Sequence, residues 1–188
     1  MRALKASDVP NVISALRLLV IVPIIYLLVA RHYGWALALF AAAGISDGVD
    51  GFLAKHYGWQ SAIGGILDPL ADKALLTSCF LVLGAQGLIP LWLMLAVIFR
   101  DLVIVVGAVL YHYLVEDLRA APTLVSKLNT VVQILLVVVV IADAGPIGLP
   151  RAPVDALIWM CLATTLVSGV SYVWIWGRLA VRNGGRHP

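Results

Sequence analysis

Four aspartates stand close together in a stretch of mostly apolar and small residues. Asp47 and Asp50 are three residues apart, and Asp68 and Asp72 are four residues apart. Residues at these spacings share one face of a helix, so each pair projects from one side. Carboxylate oxygens suit hard cations such as Mg²⁺, Mn²⁺ and Ca²⁺, and Mg²⁺ often shares its shell with substrate phosphates. The spacing therefore predicts a metal site for phosphate chemistry.

Two other interpretations of these acids are helix capping in a solvated loop and an ion or proton pathway. A single capping aspartate accounts for one residue, but it does not account for the repeated spacing. A carboxylate buried in a membrane span costs about 2.5–3.5 kcal/mol on insertion scales, so four of them need a compensating partner. A divalent cation compensates several carboxylates at once, which favours the metal site.

The elements that must position the acids are apolar helices. The chain of 188 residues is 62% hydrophobic and 12% charged, which leaves too few polar residues to cover a water-facing surface. Its net charge of +3 is scattered through loops and tails, so we expect no nucleic-acid partner. Six apolar runs are long enough to predict an all-α membrane protein with six transmembrane helices. They cover residues 13–30, 34–55, 64–84, 90–114, 126–142 and 154–177.

Six spans place both termini on one side of the membrane. Lysine and arginine concentrate on that side, which the positive-inside rule assigns to the cytoplasm. Short loops and the lack of an internal repeat predict a single membrane domain over residues 1–188. We find no removable leader before the first apolar run, and therefore expect a multi-pass protein of the bacterial cytoplasmic membrane.

The acidic segment also resembles a known family signature. Residues 46–73 read SDGVDGFLAKHYGWQSAIGGILDPLADK. This is similar to the signature of the CDP-alcohol phosphatidyltransferases, D-x-x-D-G-x-x-A-R and, eight residues later, G-x-x-x-D-x-x-x-D. The matching positions are Asp47, Asp50, Gly51, Ala54, Gly64, Asp68 and Asp72. Lys55 replaces the family's arginine, which keeps the charge but loses bidentate phosphate recognition.

This resemblance implies a fold, a substrate and roles for the matching residues. The fold is a six-helix membrane domain, usually a homodimer, that binds CDP-diacylglycerol through two divalent cations, Mg²⁺ or Mn²⁺. All four aspartates would be metal ligands, and Asp72 would also be the general base for the acceptor hydroxyl. The residues implied to bind the CDP group are Asp50, Gly51, Ala54, Lys55 and Gly64.

Polar residues at the start of the chain and in the fourth run are candidates for binding the acceptor. The opening PNVISALRLLVIVP resembles the family's P-N-x-x-(S/T)-x-x-R, which points to Asn11 and Arg17. A helix cap is the alternative for Asn11, and snorkelling to lipid headgroups is the alternative for Arg17. Arg100 lies within the fourth run beside Asp101, where an arginine needs an acidic partner or a bound phosphate. We favour the phosphate.

The fifth run adds Lys127 and Asn129 as acceptor-binding candidates, with Gln133 four residues after Asn129 and on the same face. The segments PTLVSKLNTVVQILLV and FRDLVIVV resemble the CMP-forming cardiolipin synthases of the family. That likeness implies transfer of a phosphatidyl group from CDP-diacylglycerol to phosphatidylglycerol, with release of CMP.

The alternative within the family is a phosphatidylglycerophosphate synthase, whose acceptor is glycerol 3-phosphate. That branch tends to carry G-K-x-K-T where this chain has S-K-x-N-T. One lysine fewer fits the single charge of a phosphodiester acceptor. A membrane transporter or a non-catalytic scaffold is a hypothesis of a different class. A transporter predicts repeat symmetry and discontinuous helices at mid-membrane, whereas these acids cluster near one membrane face.

Overall fold

A computed structural model of the chain describes the backbone of residues 9–57, 64–114 and 124–184. Side chains are described for residues 18–46, 48, 71–107 and 124–175. The described backbone is helical apart from short turns, and it contains no strand. Its six helices are α1 (Val9–Val29), α2 (Tyr33–Tyr57), α3 (Gly64–Ala85), α4 (Leu91–Leu114), α5 (Leu124–Ala144) and α6 (Arg151–Gly184).

The predicted helices are confirmed in number and order, and their bounds differ most in α6. We predicted residues 154–177 from hydropathy, whereas α6 begins at Arg151 and ends at Gly184. The residues after Gly177 are mainly arginine, leucine, alanine and valine, which continue a helix without being uniformly apolar. Hydropathy therefore marked the apolar part of this helix and missed both of its ends.

The described residues form two compact units. The first contains α1, α2 and α3 together with residues 137–149, which include the end of α5. Within it, α1 packs against both α2 and α3. The side chains at its centre are almost fully buried and mostly large: Ile24, Leu28, Phe40, Phe80 and Leu83. Helix α1 continues through Pro23 without a break in the helix assignment.

Helices α1 and α3 end in the same hydrogen-bonded motif. At the end of α1, the amide of His32 donates to Leu27 O (2.8 Å) and that of Arg31 donates to Leu28 O (3.0 Å). The end of α3 repeats this pattern, with Gly87 at the position of Arg31. Both are Schellman motifs, whose penultimate residue has a left-handed conformation. Gly87 has φ 73° at no steric cost, whereas Arg31 adopts φ 60° despite its Cβ.

A clamp at this end of the first unit joins all three of its helices. The hydroxyl of Tyr33, at the start of α2, donates to Gln86 Oε1 over 3.1 Å. Gln86, just past the end of α3, donates from Nε2 to the backbone oxygen of Leu28 on α1 over 2.7 Å. Both ends of the Gln86 amide are thus paired, so the helix ends are held in a fixed register.

The turn after α5 packs against the start of α2 in the same unit. A Cβ on Gly145 would lie only 2.6 Å from Tyr33 Cβ, so this position requires glycine. The amide of Leu149 donates to Asp143 Oδ1 over 2.7 Å, which closes the turn. These contacts fix the end of α5 against the clamped helix ends.

The second unit contains α4, α6 and the first part of α5. Helix α4 packs against α6, and the rings of Trp92 and Trp159 stack with their centroids 5.4 Å apart. Apolar residues such as Leu93, Val97 and Cys161 are buried here. Five polar or charged residues are also buried in this unit: Arg100, Asn129, Gln133, Thr165 and Ser168.

The outer surface of the described helices is apolar. Large side chains such as Leu19, Tyr26, Phe99 and Val170 are 67–69% exposed. Two helices are long and apolar enough to cross a membrane, namely α5 and residues Arg151–Ile175 of α6. Only 39% and 28% of their most apolar windows are buried, so most of this apolar surface faces outward. The shorter segments Leu18–Val29 and Tyr33–Ser46 are also apolar.

Candidate functional site

The four aspartates lie on the two helices predicted to hold them. Asp47 and Asp50 are on α2, towards its end, and Asp68 and Asp72 are in the first part of α3. Both helices belong to the first unit. Asp72 has a half-buried side chain, whereas the side chains of Asp47, Asp50 and Asp68 lie outside the described set.

The helix clamp places the two acidic pairs at matching levels. Asp47 follows Tyr33 along α2 by as many positions as Asp72 precedes Gln86 along α3. At a helical rise of about 1.5 Å per residue, each is about 21 Å along its helix from the Tyr33–Gln86 hydrogen bond. Asp50 and Asp68 match in the same way to within a single position, slightly farther from the clamp. The backbone thus brings the two pairs to the same end of α2 and α3.

This donor set fits a hard divalent cation in its chemistry, because all four side chains are carboxylates. Among the described side chains, no group of three or more His, Cys, Asp or Glu residues lies together. Three of the four aspartates are outside that search, so the metal site remains a prediction. The fit rests on residue type, helical spacing and matching level along the two helices.

The other residues predicted around the CDP group share this part of the first unit. Gly51, Ala54 and Lys55 are in the last turns of α2, and Gly64 begins α3. Asn11 and Arg17 are in the first half of α1, which packs against both helices. The side chains of all six lie outside the described set, and their roles remain predictions.

Arg100 is the centre of a buried polar cluster in the second unit. Its side chain is 3% exposed and forms an ion pair with Asp101, with 2.7 Å between Nη1 and Oδ1. The same guanidinium donates from Nη2 to Ser126 Oγ (2.7 Å) on α5 and from Nε to Ser168 Oγ (3.2 Å) on α6. It also lies over the ring of Tyr172, 5.9 Å from the centroid. One side chain therefore links α4, α5 and α6.

The acidic partner expected for Arg100 is thus present. The sequence left a choice between this partner and a bound phosphate, and the phosphate was favoured. The observed contacts direct the guanidinium at Asp101 and at two serine hydroxyls. This arrangement satisfies the buried charge within the protein, so a phosphate is not needed to explain it.

Lys127 and Asn129, the other acceptor candidates, have different surroundings. Lys127 is exposed in the first turn of α5, next to Ser126. Asn129 is fully buried, and its Oδ1 accepts hydrogen bonds from Thr164 (2.9 Å) and Thr165 (3.0 Å) on α6. Only Lys127 of the two is therefore open to solvent.

Sequence reasoning missed the polar face of α6. Thr165, Ser168 and Tyr172 recur every three or four residues within an apolar run and contact residues of α4 and α5. Hydroxyl residues at this spacing indicate a polar stripe on one helix face. The stripe was readable, but hydroxyls also occur in membrane helices bonded to their own backbone. Ser171 does so, with Oγ 2.7 Å from Val167 O.

Comparison with known proteins gives relatives along most of the chain. A rat cardiolipin synthase (CMP-forming) is 32% identical over 93% of this chain and 63% of its own length. A fission yeast cardiolipin synthase (CMP-forming)/mitochondrial hydrolase fusion protein is 33% identical over 87% of this chain and 30% of its own length. A rice chloroplastic CDP-diacylglycerol–glycerol-3-phosphate 3-phosphatidyltransferase is 30% identical over 88% of this chain and 56% of its own length. The chain thus spans less than two thirds of each of these relatives.

These relatives correct the predicted location. We expected a bacterial cytoplasmic membrane because no leader was found before the first apolar run. The rat and fission yeast relatives that match most of the chain are eukaryotic, and the name of the latter includes a mitochondrial protein. The prediction was therefore wrong, because the lack of a recognisable leader in this sequence is not a guide to its cellular compartment.

The family itself is established by a match over most of the sequence. The model of the CDP-alcohol phosphatidyltransferase family matches residues 7–172. This range includes all four aspartates, the Arg100 cluster and the first part of α5. The resemblance to the CMP-forming cardiolipin synthases is likewise confirmed by the similarity to the rat protein. The chain belongs to the CDP-alcohol phosphatidyltransferase family.

Proposed function

We propose that this chain is a metal-dependent cardiolipin synthase that transfers a phosphatidyl group from CDP-diacylglycerol to phosphatidylglycerol and releases CMP. The observation that carries the proposal is the pairing of Asp47 and Asp50 with Asp68 and Asp72 at matching levels of α2 and α3. The names of the rat and fission yeast relatives and the S-K-x-N-T run support the choice of acceptor.

In this proposal the four aspartates hold two divalent cations, Mg²⁺ or Mn²⁺, against the pyrophosphate of CDP-diacylglycerol. Cations bound there neutralise the pyrophosphate and make CMP a better leaving group. Asp72 accepts the proton of the acceptor hydroxyl. The hydroxyl oxygen then forms a bond to the phosphorus that carries diacylglycerol, and the bond from that phosphorus to the oxygen of CMP breaks.

The CDP side of the site is assigned to the last turns of α2 and the start of α3. Asp50 joins Gly51, Ala54 and Gly64 there, and the three small residues leave room for a nucleotide to approach the backbone. Lys55 supplies a positive charge to a phosphate. It makes a point contact where the family's arginine would make a bidentate one.

The acceptor side is assigned to the first turns of α5. Lys127 is exposed there and supplies the positive charge for the phosphate of the acceptor. Arg100 binds Ser126, the residue next to Lys127, and so fixes the turn from which Lys127 projects. We therefore propose that Arg100 acts on the acceptor through α5. Asn11 and Arg17 remain candidates for a further contact from α1.

We also propose that all six helices cross a membrane and that the chain forms a homodimer. The outward-facing apolar side chains and the apolar windows of α5 and α6 support the membrane location. Six crossings put the two termini on the same side. The acidic ends of α2 and α3 would face that side too, because the first crossing starts there.

The second candidate is a phosphatidylglycerophosphate synthase, which would use glycerol 3-phosphate. The similarity to the rice protein, whose name contains that acceptor, supports it. Both acceptors carry a phosphate and a glycerol hydroxyl, so Lys127 and Asp72 would serve either. Nothing in the described residues favours a transporter or a scaffold.

The test is CMP release by the purified protein in detergent with Mg²⁺ or Mn²⁺ and CDP-diacylglycerol. Phosphatidylglycerol and glycerol 3-phosphate are supplied in separate reactions. We expect turnover with phosphatidylglycerol only. Turnover only with glycerol 3-phosphate would move the chain to the second candidate, and silence with both would overturn the proposed function.

A further inference from the structure

Two buried side-chain amides on α5 lack hydrogen-bond partners. Asn129 is 0% exposed and Gln133 is 1% exposed. Within the part of the chain that the structure describes, Asn129 Nδ2 and Gln133 Nε2 have no acceptor. The great majority of buried polar atoms in proteins are paired, and leaving one unpaired is costly. Two such atoms one turn apart therefore indicate a group that binds there.

The orientation of the Asn129 amide does not change this conclusion. Its Oδ1 accepts from the hydroxyls of Thr164 and Thr165. Hydroxyls also accept hydrogen bonds, so the amide could be turned to donate to them instead. Its oxygen would then be the unpaired atom. A ligand group that both donates and accepts would satisfy either orientation, and a hydroxyl group is of that kind.

The amides continue a polar stripe that starts at the charged cluster. Ser126, Asn129 and Gln133 are spaced three and four residues apart, so they share one face of α5. Ser126 accepts a hydrogen bond from Arg100, so the first residue of the stripe contacts a positive charge. From Ser126 to Gln133 the stripe runs about 10 Å along the helix. It passes from a charged group to neutral amides within an otherwise apolar helix.

We propose that Asn129 and Gln133 bind the hydroxyl of the acceptor's glycerol that does not react. This inference rests on the proposed function and specifies how the acceptor is recognised. An amide is neither an acid nor a base near neutral pH, so it suits a hydroxyl that keeps its proton. Phosphatidylglycerol and glycerol 3-phosphate both carry such a secondary hydroxyl beside the primary hydroxyl that reacts.

A pair of identical substitutions separates recognition from structural support. Gln133→Leu removes an amide that has an unpaired donor, whereas Gln86→Leu removes an amide paired to Tyr33 and Leu28. We expect Gln133→Leu to keep or raise the thermal unfolding midpoint and to raise the acceptor KM about fivefold, the loss of one neutral hydrogen bond. Its KM for CDP-diacylglycerol should not change. Gln86→Leu should lower the midpoint and leave the acceptor KM unchanged.

Two results with these variants would overturn the inference. One is an unchanged acceptor KM in Gln133→Leu. The other is a loss of thermal stability in Gln133→Leu as large as that in Gln86→Leu, which would show that the Gln133 amide has a structural partner. Each variant serves as the control for the other because the chemical change is the same.

A second measurement needs no variant. The wild-type protein is given phosphatidylglycerol or phosphatidyl-1,3-propanediol, which keeps the reacting primary hydroxyl and lacks the secondary one. We expect kcat/KM about fivefold lower for the propanediol lipid. The corresponding water-soluble pair is glycerol 3-phosphate and 3-hydroxypropyl phosphate, which shows whether a lipid or a free phosphate is the source of the hydroxyl. Equal use of both members of the active pair would overturn the inference.

The inference and the proposed function fail in different ways. If the wild-type protein releases no CMP with any acceptor, the proposed function is overturned and the inference falls with it. If it turns over but does not distinguish acceptors with and without the secondary hydroxyl, only the inference is overturned.

Discussion

Tyr33 and Gln86 are joined by a hydrogen bond of 3.1 Å that holds the start of α2 against the end of α3. Asp47 and Asp72 lie equally far along the chain from this bond, at the other end of the same two helices. The two ends of this helix pair thus have different tasks. One end fixes the helix register with neutral hydrogen bonds, and the other carries the carboxylates that the register aligns.

The matching helix ends of α1 and α3 give a prediction for stability. Arg31 and Gly87 occupy the same left-handed position of two Schellman motifs. Arg31→Gly should stabilise the protein by about 1 kcal/mol, and Gly87→Ala should destabilise it by about as much. A Cβ on Gly87 meets nothing within 4 Å, so the backbone conformation alone is tested. Thermal unfolding measures both, and changes of the same sign would contradict the motif.

The contact between Gly145 and Tyr33 gives a second stability prediction. Gly145→Ala places a methyl group 2.6 Å from Tyr33 Cβ, which should cost about 1–3 kcal/mol as α2 and the α5 turn move apart. Gly34→Ala is the matched control, because its Cβ meets nothing within 4 Å. Unfolding midpoints of the two variants provide the comparison. Equal midpoints would show that this turn does not contact α2 as described.

The Arg100 cluster predicts that a lysine cannot replace this arginine. Lysine has a single ammonium group and cannot bond Ser126, Ser168 and Asp101 in the same geometry. We expect Arg100→Lys to lose about 3–5 kcal/mol of stability, the cost of breaking a buried ion pair. Ser168→Ala should lose less, about 1–2 kcal/mol. A lysine variant that is as stable as the wild type would argue against a structural role for Arg100.

Lys127 should affect the acceptor without affecting the fold. Its side chain is exposed, so Lys127→Ala should leave the unfolding midpoint unchanged. We expect its KM for the acceptor to rise about tenfold, with a much smaller change in the KM for CDP-diacylglycerol. Arg151→Ala, an exposed residue at the start of α6, is the control. Similar changes in both KM values would remove Lys127 from the acceptor site.

The fold was predictable because its helices are apolar over nearly their whole length. A run of about 20 apolar residues bounded by charges or turns leaves few alternatives to a helix. The left-handed turn at Arg31 could not be predicted, since sequence rules expect glycine or asparagine there. The end of α6 was missed for a different reason. Its last residues form a helix through backbone propensity, and hydropathy does not report that property.

The candidate site was predictable where residue type and spacing define the chemistry. The aspartates of α2 and α3 are an example, because helical geometry alone pairs them. Arg100 shows the limit of such reasoning. Its charge required a partner, but the sequence could not choose between a phosphate and the neighbouring Asp101. That choice depends on Ser126 and Ser168, which are distant in sequence and reach Arg100 only in the folded protein.

The most direct test of the account is the effect of Asp72→Asn on CMP release from CDP-diacylglycerol and phosphatidylglycerol in the presence of Mg²⁺. Asparagine keeps the size of the side chain but removes the negative charge and the ability to accept the proton. Asp155→Asn, an exposed aspartate of α6, makes the same change away from the site. We expect Asp72→Asn to lose about 10²–10⁴-fold in rate and Asp155→Asn to keep the wild-type rate. A wild-type rate for Asp72→Asn would contradict the proposed active site.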